Sequence, residues 1–359
     1  MNIRSMSWRR QKHSQPLVNT TKRFNETGRF IAFPGWEWSG NTGLGGDRNV
    51  FFKTEGGGIG RSSHALVEGK ASSDPCPAVE DLFQRMTSEQ AAGKEVMLVP
   101  HVGGRYADLE RHHRSLEPVI EVHSAWGTFE WMLDDAFSRG YRVGIVGNSD
   151  GHKGRPGASY PGASTFGSYG GLTAILCDKL DRDSIWQAYQ SRHVYATTGA
   201  RLILDVESDC GHRMGDIIQH PSKTPFDFHL SVHGTAPIER IEIRNGMKVL
   251  KTLRTYNADE LSDRVKVVWQ GAEVRGRGRQ VQWDGSGKLT GTKVTEIEKI
   301  NFWNLEKLLQ ALRDFPMAPR RRIFVEYVML GGVNDTNEDA KRLPKLLHSQ
   351  RMHAMMGNR

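Results

Sequence analysis

Five residues in the first half of the chain are of types that hold metal ions: Glu37, His101, His123, Asp150 and His152. Each lies at or just beyond the end of a short apolar stretch. The stretches are Phe33-Pro34-Gly35-Trp36-Glu37, Leu98-Val99-Pro100-His101, Val119-Ile120-Glu121-Val122-His123 and the run from Ile145 through Asn148-Ser149 to Asp150-Gly151-His152. Carboxylate oxygens and imidazole nitrogens together suit Zn, Mn or Fe. Asp150-Gly151-His152 is the sharpest local signal, because the glycine lets the loop turn tightly enough for both side chains to face one ion. One Asp-x-His, or one histidine, has an ordinary structural reading. Four such stretches together point to a shared centre.

The elements that must position these groups follow from periodicity. An apolar run that ends in a ligand is the pattern of a parallel strand whose C-terminal end carries chemistry, as in an α/β barrel. Strands are expected at Phe30–Phe33, Asn49–Phe52, Val96–Val99, Val119–Val122, Tyr141–Val146 and Leu172–Cys177. Helices are expected over Ala78–Ala92, where Val79, Leu82, Phe83 and Met86 share a face, over Glu130–Arg139 and over Arg182–Gln190. This alternation predicts a parallel α/β barrel or open sheet. Gly40–Gly60 and Gly154–Gly171 read as long loops, and long loops are often functional.

From Leu202 to about Trp283 strands alternate with turns, and Asn245-Gly246 is a hairpin signal. The expectation there is a small antiparallel β domain. Beyond Gly291 the spacing predicts a helix over Leu305–Phe315, a strand over Ile323–Leu330 and a helix over Glu338–Leu347, with an unpatterned tail after His348. The predicted division is therefore a basic segment at 1–23, a metal-binding barrel portion at 24–201, the β domain at 202–290 and a C-terminal piece at 291–359.

The composition, 37% hydrophobic and 25% charged, excludes a disordered or membrane-embedded chain. There is no apolar run near the length of a membrane span, and Met1–Ser7 lacks the apolar centre of a secretory signal. Cys76, Cys177 and Cys210 are too far apart for a zinc knuckle, and as an odd set they form no disulfide framework. A cytoplasmic location is expected. The net charge of +8 invites a nucleic-acid reading. Most of it comes from Arg4, Arg9, Arg10, Lys12, Lys22, Arg23 and Arg29, which face a single acid, Glu26, within residues 1–30. Such a run reads as solvated surface, so nucleic acid is not the expected partner.

Several segments resemble a branch of the PHP superfamily that is of unknown function. They are Trp36-Glu37-Trp38-Ser39, Gly46-Asp47-Arg48-Asn49-Val50, Pro100-His101-Val102-Gly103-Gly104, Glu121-Val122-His123-Ser124 and Asn148 through Gly157. Tyr169–Ala174, Tyr195–Arg201 and Gln282-Trp283-Asp284-Gly285 extend the likeness, which covers about residues 24–290. It implies a distorted β/α barrel that uses two or three metal ions to hydrolyse phosphoesters. It further implies that Glu37 is a bridging carboxylate and that His101, His123, Asp150 and His152 are ligands, with Glu121 the substitute for His123. Arg105 and Arg155 follow ligand segments and are candidates to grip anionic oxygens of a small phosphoester, or to make ordinary salt bridges; Lys153 is a further candidate. The superfamily opens on a His-x-His strand, and this chain contains none. The predicted barrel is therefore incomplete.

A second resemblance lies in Asn304–Leu309, Arg321–Val328 and Gly332–Ala340, which are similar to the late barrel region of radical-SAM ribosomal RNA adenine methyltransferases. That chemistry needs thiolates on a Cys-x-x-x-Cys-x-x-Cys run, which is absent here, so no iron–sulfur cluster is expected. Three readings result: a PHP-type metallohydrolase, a non-catalytic remnant fused to a methyltransferase fragment, and an RNA-modifying methyltransferase. Nothing in the sequence sets the oligomeric state.

Overall fold

The computed structural model describes residues 18–40, 45–60, 62, 76–103, 107–151, 170–219, 227–260, 324–328 and 353–357. The chain divides into two compact units, Met1–Gln282 and Trp283–Arg359.

In the first unit a helical segment (α1, 18–24) precedes three strands, β1 (Gly35–Trp38), β2 (Arg48–Phe52) and β3 (Val96–Pro100). They form one sheet in that order, and both pairings are antiparallel. The parallel arrangement expected from the sequence is thus corrected at this edge. Trp38 sits opposite Arg48 and Arg48 opposite Pro100, so the ends of β1 and β3 and the start of β2 share one rim. The strand predicted at Phe30–Phe33 also shifts to Gly35–Trp38. Phe30 is 39% exposed, and pairing with β2 begins where the Pro34 carbonyl accepts the Phe52 N–H.

The next strands are β4 (Val119–Ser124), the short β5 (Gly127–Thr128) and β6 (Gly144–Gly147), with β4 between the other two. Here the β4–β6 pairing is parallel, as expected. β7 (Leu172–Ile175) and β8 (Val194–Thr197) pair antiparallel. β3 lies against β4 and β6 lies against β8. Among the described residues no pairing joins β7 to β1, so the architecture is mixed α/β with small sheets and no closed barrel.

Helices cover these sheets through predictable faces. α2 (Val79–Ala91) buries Val79, Leu82 and Met86 against Trp38, Val50, Phe52, Val96 and Leu98. The Asp81 carboxylate accepts the Ala78 N–H at 3.0 Å, satisfying one orphan donor of the first turn. α3 (Trp131–Ser138) sets Met132 and Ala136 beside Leu109, Ile120 and Val122. α4 (Arg182–Gln190) is capped by Asp181, which accepts the Ser184 N–H at 2.7 Å. Its Arg182 grips Glu55 with both terminal nitrogens (2.8 and 3.2 Å) and donates to the Ala32 carbonyl, tying α4 to the end of the β1–β2 pair where β1 begins and β2 finishes.

β9 (Ile203–Ser208) pairs antiparallel with β10 (Phe228–His233), and β11 (Arg240–Asn245) with β12 (Lys248–Arg254). The expected hairpin is present, with Gly246 at φ +57° in its two-residue turn. An apolar groove of about 640 Å³, lined by Leu204, Leu230, Pro237 and Ile241 among others, runs between these ribbons. The predicted strand at Val265–Trp269 lies outside the described residues.

In the second unit β13 (Phe324–Val328) pairs in parallel with β14 (His353–Gly357). The first matches the strand expected at Ile323–Leu330. The second lies in the tail that the sequence left unpatterned, and corrects it. The helices predicted at 305–315 and 338–347 lie outside the described residues.

Candidate metal centre

Glu37, Asp47 and His101 meet at the rim shared by β1, β2 and β3. One ligand atom from each lies within 4.8 Å of the others. Glu37 is the penultimate residue of β1, and Trp36 and Trp38 point away from it, as strand alternation requires. Trp38 is buried and fixed by its indole N–H, which donates to the Cys76 carbonyl at 2.8 Å. His101 follows β3 directly, and its backbone N–H donates to the Asp47 carbonyl at 3.2 Å. That bond ties the two ligand positions together through the main chain.

Asp47 owes its place to its neighbours. Gly46 has φ +76°, and a Cβ there would fall 2.4 Å from the Asp108 nitrogen, so only glycine lets the chain pass. Next to it, Arg48 is fully buried. Its Nε donates to Glu117 Oε1 at 3.1 Å, and Nη2 donates to the carbonyls of Asp108 and Arg111 at 2.8 and 2.9 Å. Glu117 also accepts the His113 backbone N–H and lies 2.8 Å from His112 Nδ1. This anchored pair holds the start of β2, and Asp47 with it.

The geometry of the cluster is that of a cation cradle. His101 is fully buried, and among the described residues neither ring nitrogen has a hydrogen-bond partner. Nε2 stands 3.7 Å from Glu37 Oε1, beyond hydrogen-bond reach. Two ligands each about 2.1 Å from one ion can be at most ~4.2 Å apart, so this spacing suits a shared cation. Gly103 marks the centre. A Cβ on it would lie 2.6 Å from Asp47 Oδ2, 2.8 Å from His101 Nε2 and 3.0 Å from Glu37 Oε1. Three ligand atoms thus converge on one small volume that only a bare Cα leaves open. One nitrogen and two carboxylate oxygens fit Zn, Mn or Fe.

More acidic groups surround it. Burial lowers the His101 imidazole, but the carboxylates of Glu37, Glu121 and Asp150 outweigh burial and lift it to about 9. Burial pushes the Glu121 carboxyl up to about 7; Asp150 and Glu37 add to that rise, while His101 and Asn148 oppose it. Glu121 and Asp150 therefore stand within electrostatic reach of the cluster. Asp150 adopts φ +44°, a left-handed conformation that a non-glycine residue holds at some cost.

The sequence-predicted ligands are thus placed unequally. Glu37 and His101 come together, and Asp150 stands close by. His123 is buried, and its Nδ1 is engaged by Thr128 Oγ1 at 2.7 Å. It is not part of the three-residue cluster, and Glu121, two residues before it, is the group from β4 that His101 senses. His152, Lys153, Arg105 and Arg155 lie outside the described residues. Asp47, the third member of the cluster, is not among the sequence-predicted ligands, because it precedes a strand and those ligands lie at or just beyond the end of an apolar stretch. Its signal was the Gly45-Gly46-Asp47 turn entering a buried strand.

Residues 2–105 and 160–212 match a family described as a protein of unknown function, DUF3604. An uncharacterised protein of Chlamydia pneumoniae is 27% identical over 277 residues, which is 69% of this chain and 43% of that protein. The chain therefore spans less than half the length of this relative. The dual-specificity RNA methyltransferase RlmN of Paracoccus denitrificans is 34% identical over 115 residues, covering 26% of this chain and 29% of the enzyme. RlmN of Anaeromyxobacter dehalogenans is 65% identical over 43 residues, 12% of each chain. No solved structure matches. Among the described residues no helix is long and apolar enough to cross a membrane.

Proposed function

We propose that this chain is a PHP-type metal-dependent hydrolase acting on small phosphoesters, and that its strands belong to an incomplete, distorted β/α barrel. The observation that carries the reading is the convergence of Glu37, Asp47 and His101 on the space above Gly103. These residues would hold the metal, with Glu121 and Asp150 adding negative charge beside it. A bound divalent cation supplies Lewis acidity and brings the pKa of a coordinated water to about 7. The protein's own part is to fix the ligands on rigid strand ends, to exclude water from the buried His101 side, and to concentrate carboxylates that a proton or a cation must balance. Arg105, Arg155 and Lys153 are the proposed grips for the phosphoryl oxygens.

The test is metal analysis of freshly purified protein, followed by a phosphoester panel. The wild type should carry roughly one to two or more equivalents of Zn, Mn or Fe. His101→Ala and Asp47→Asn should lose them together with phosphoesterase activity, while Cys177→Ala keeps both. Metal content unchanged in His101→Ala would overturn the assignment. Metal bound without turnover on any phosphoester would favour the non-catalytic reading.

A further inference from the structure

Glu121 lies on β4 within electrostatic reach of His101 and is 2% exposed, so its orientation is set by neighbours and not by water. Its Oε2 accepts a hydrogen bond from Asn148 Nδ2 at 2.6 Å. The amide presents its nitrogen to Glu121 and its oxygen to the other side. On that other side stands Thr173 of β7, whose hydroxyl lies 3.1 Å from Asn148 Oδ1 and donates there or to the Gly147 carbonyl at 2.8 Å. The same hydroxyl accepts the Gly147 N–H at 3.2 Å. Thr173 is β-branched, with few rotamers, and sits in a paired strand opposite Ala196. The backbone of Asn148 is clamped as well. Its N–H donates to the His123 carbonyl at 2.9 Å, and its carbonyl accepts the Gly171 N–H at 2.8 Å.

Among the described residues, three strands therefore converge on one amide that donates to a single buried carboxylate. We propose that Thr173 and Asn148 are positioning residues, with Thr173 orienting the Asn148 amide so that its N–H holds the Glu121 carboxylate toward the metal pocket beside His101. This rests on the metal-centre reading and deepens it. The relay fixes the acidic wall before any cation arrives, so that binding does not have to order it.

The experiment is a calorimetric titration of Mn²⁺ into the metal-free chain, with thermal melting of each metal-free variant alongside. Thr173→Val keeps the shape and removes the hydroxyl, and should weaken Mn²⁺ binding roughly 10- to 100-fold, the usual effect of removing a partner behind a ligand. Thr173→Ser restores the hydroxyl and should bind close to the wild type. Asn148→Asp replaces the donor by a second acceptor and should weaken binding at least as much as Thr173→Val. Thr173→Val binding as tightly as wild type, or Thr173→Ser binding as weakly as Thr173→Val, would overturn the relay and leave the metal centre standing. So would a lowered metal-free melting temperature with unchanged affinity. A wild-type chain that takes up no Mn²⁺ would overturn both.

Discussion

β3 and β4 bury every one of their residues, whereas β12 exposes all seven of its own. The two regions handle charge in correspondingly different ways. Around β2 and β4 the fold encloses Arg48, Asp47, His101, Glu117 and Glu121, each less than 3% exposed. In the β9–β12 region, Arg240, Glu242 and Arg244 pair along one strand at the surface. Exposed pairs of that kind are worth about 0–1 kcal/mol. Buried charges are tolerable only where they are paired, as Arg48 and Glu117 are with each other and with nearby carbonyls and N–H groups. Of the three residues of the candidate centre, Asp47 and His101 lie among these buried groups, while Glu37 faces outward.

The sharpest way to break this comparison is Glu117→Ala, which strands the Arg48 guanidinium without its counter-charge. Chemical denaturation should show a loss of about 3–5 kcal/mol, the usual cost of removing one partner of a buried pair. A loss comparable to that of an exposed pair would mean that water reaches the site. A smaller effect comes from acid. Burial works against the Glu117 charge, but Arg48, His112 and the His113 N–H outweigh it and hold the carboxyl below its ordinary 4.5. Its folded pKa is depressed, so its contribution is complete above 4.5 and is lost as pH falls through the folded value. Melting temperature should drop on acidification below that point in the wild type, and more gently in Glu117→Gln. The smallest effect is expected in the other region: Leu250→Ser, at a position 59% exposed, should change stability by less than about 0.5 kcal/mol. A larger loss in denaturation would show that β12 is covered by something.

Several elements were legible in the sequence because local chemistry specified them. α4 occupies the predicted Arg182–Gln190, set by the Asp181 cap and an apolar face. β3 was evident as a short unbroken apolar run, and β4 as one interrupted only by Glu121 before His123. Strand direction was not legible, because such a run reports burial on both faces and says nothing of which way a neighbour travels. That ambiguity concealed Asp47. In an all-parallel arrangement the start of a strand lies far from the ends of its neighbours, but in the antiparallel β1–β2–β3 sheet it lies beside them. β1 was displaced for a different reason: Trp36-Glu37-Trp38 alternates, yet the preceding Phe30–Phe33 run is the more apolar window.

Position 103 carries no functional atom, yet the smallest side chain placed there would occupy the room that three donors face. On the proposed reading, a methyl group there would have to displace the ends of those side chains before a cation could settle among them. The glycine two residues after the histidine is thus as much a part of the proposed site as the histidine itself.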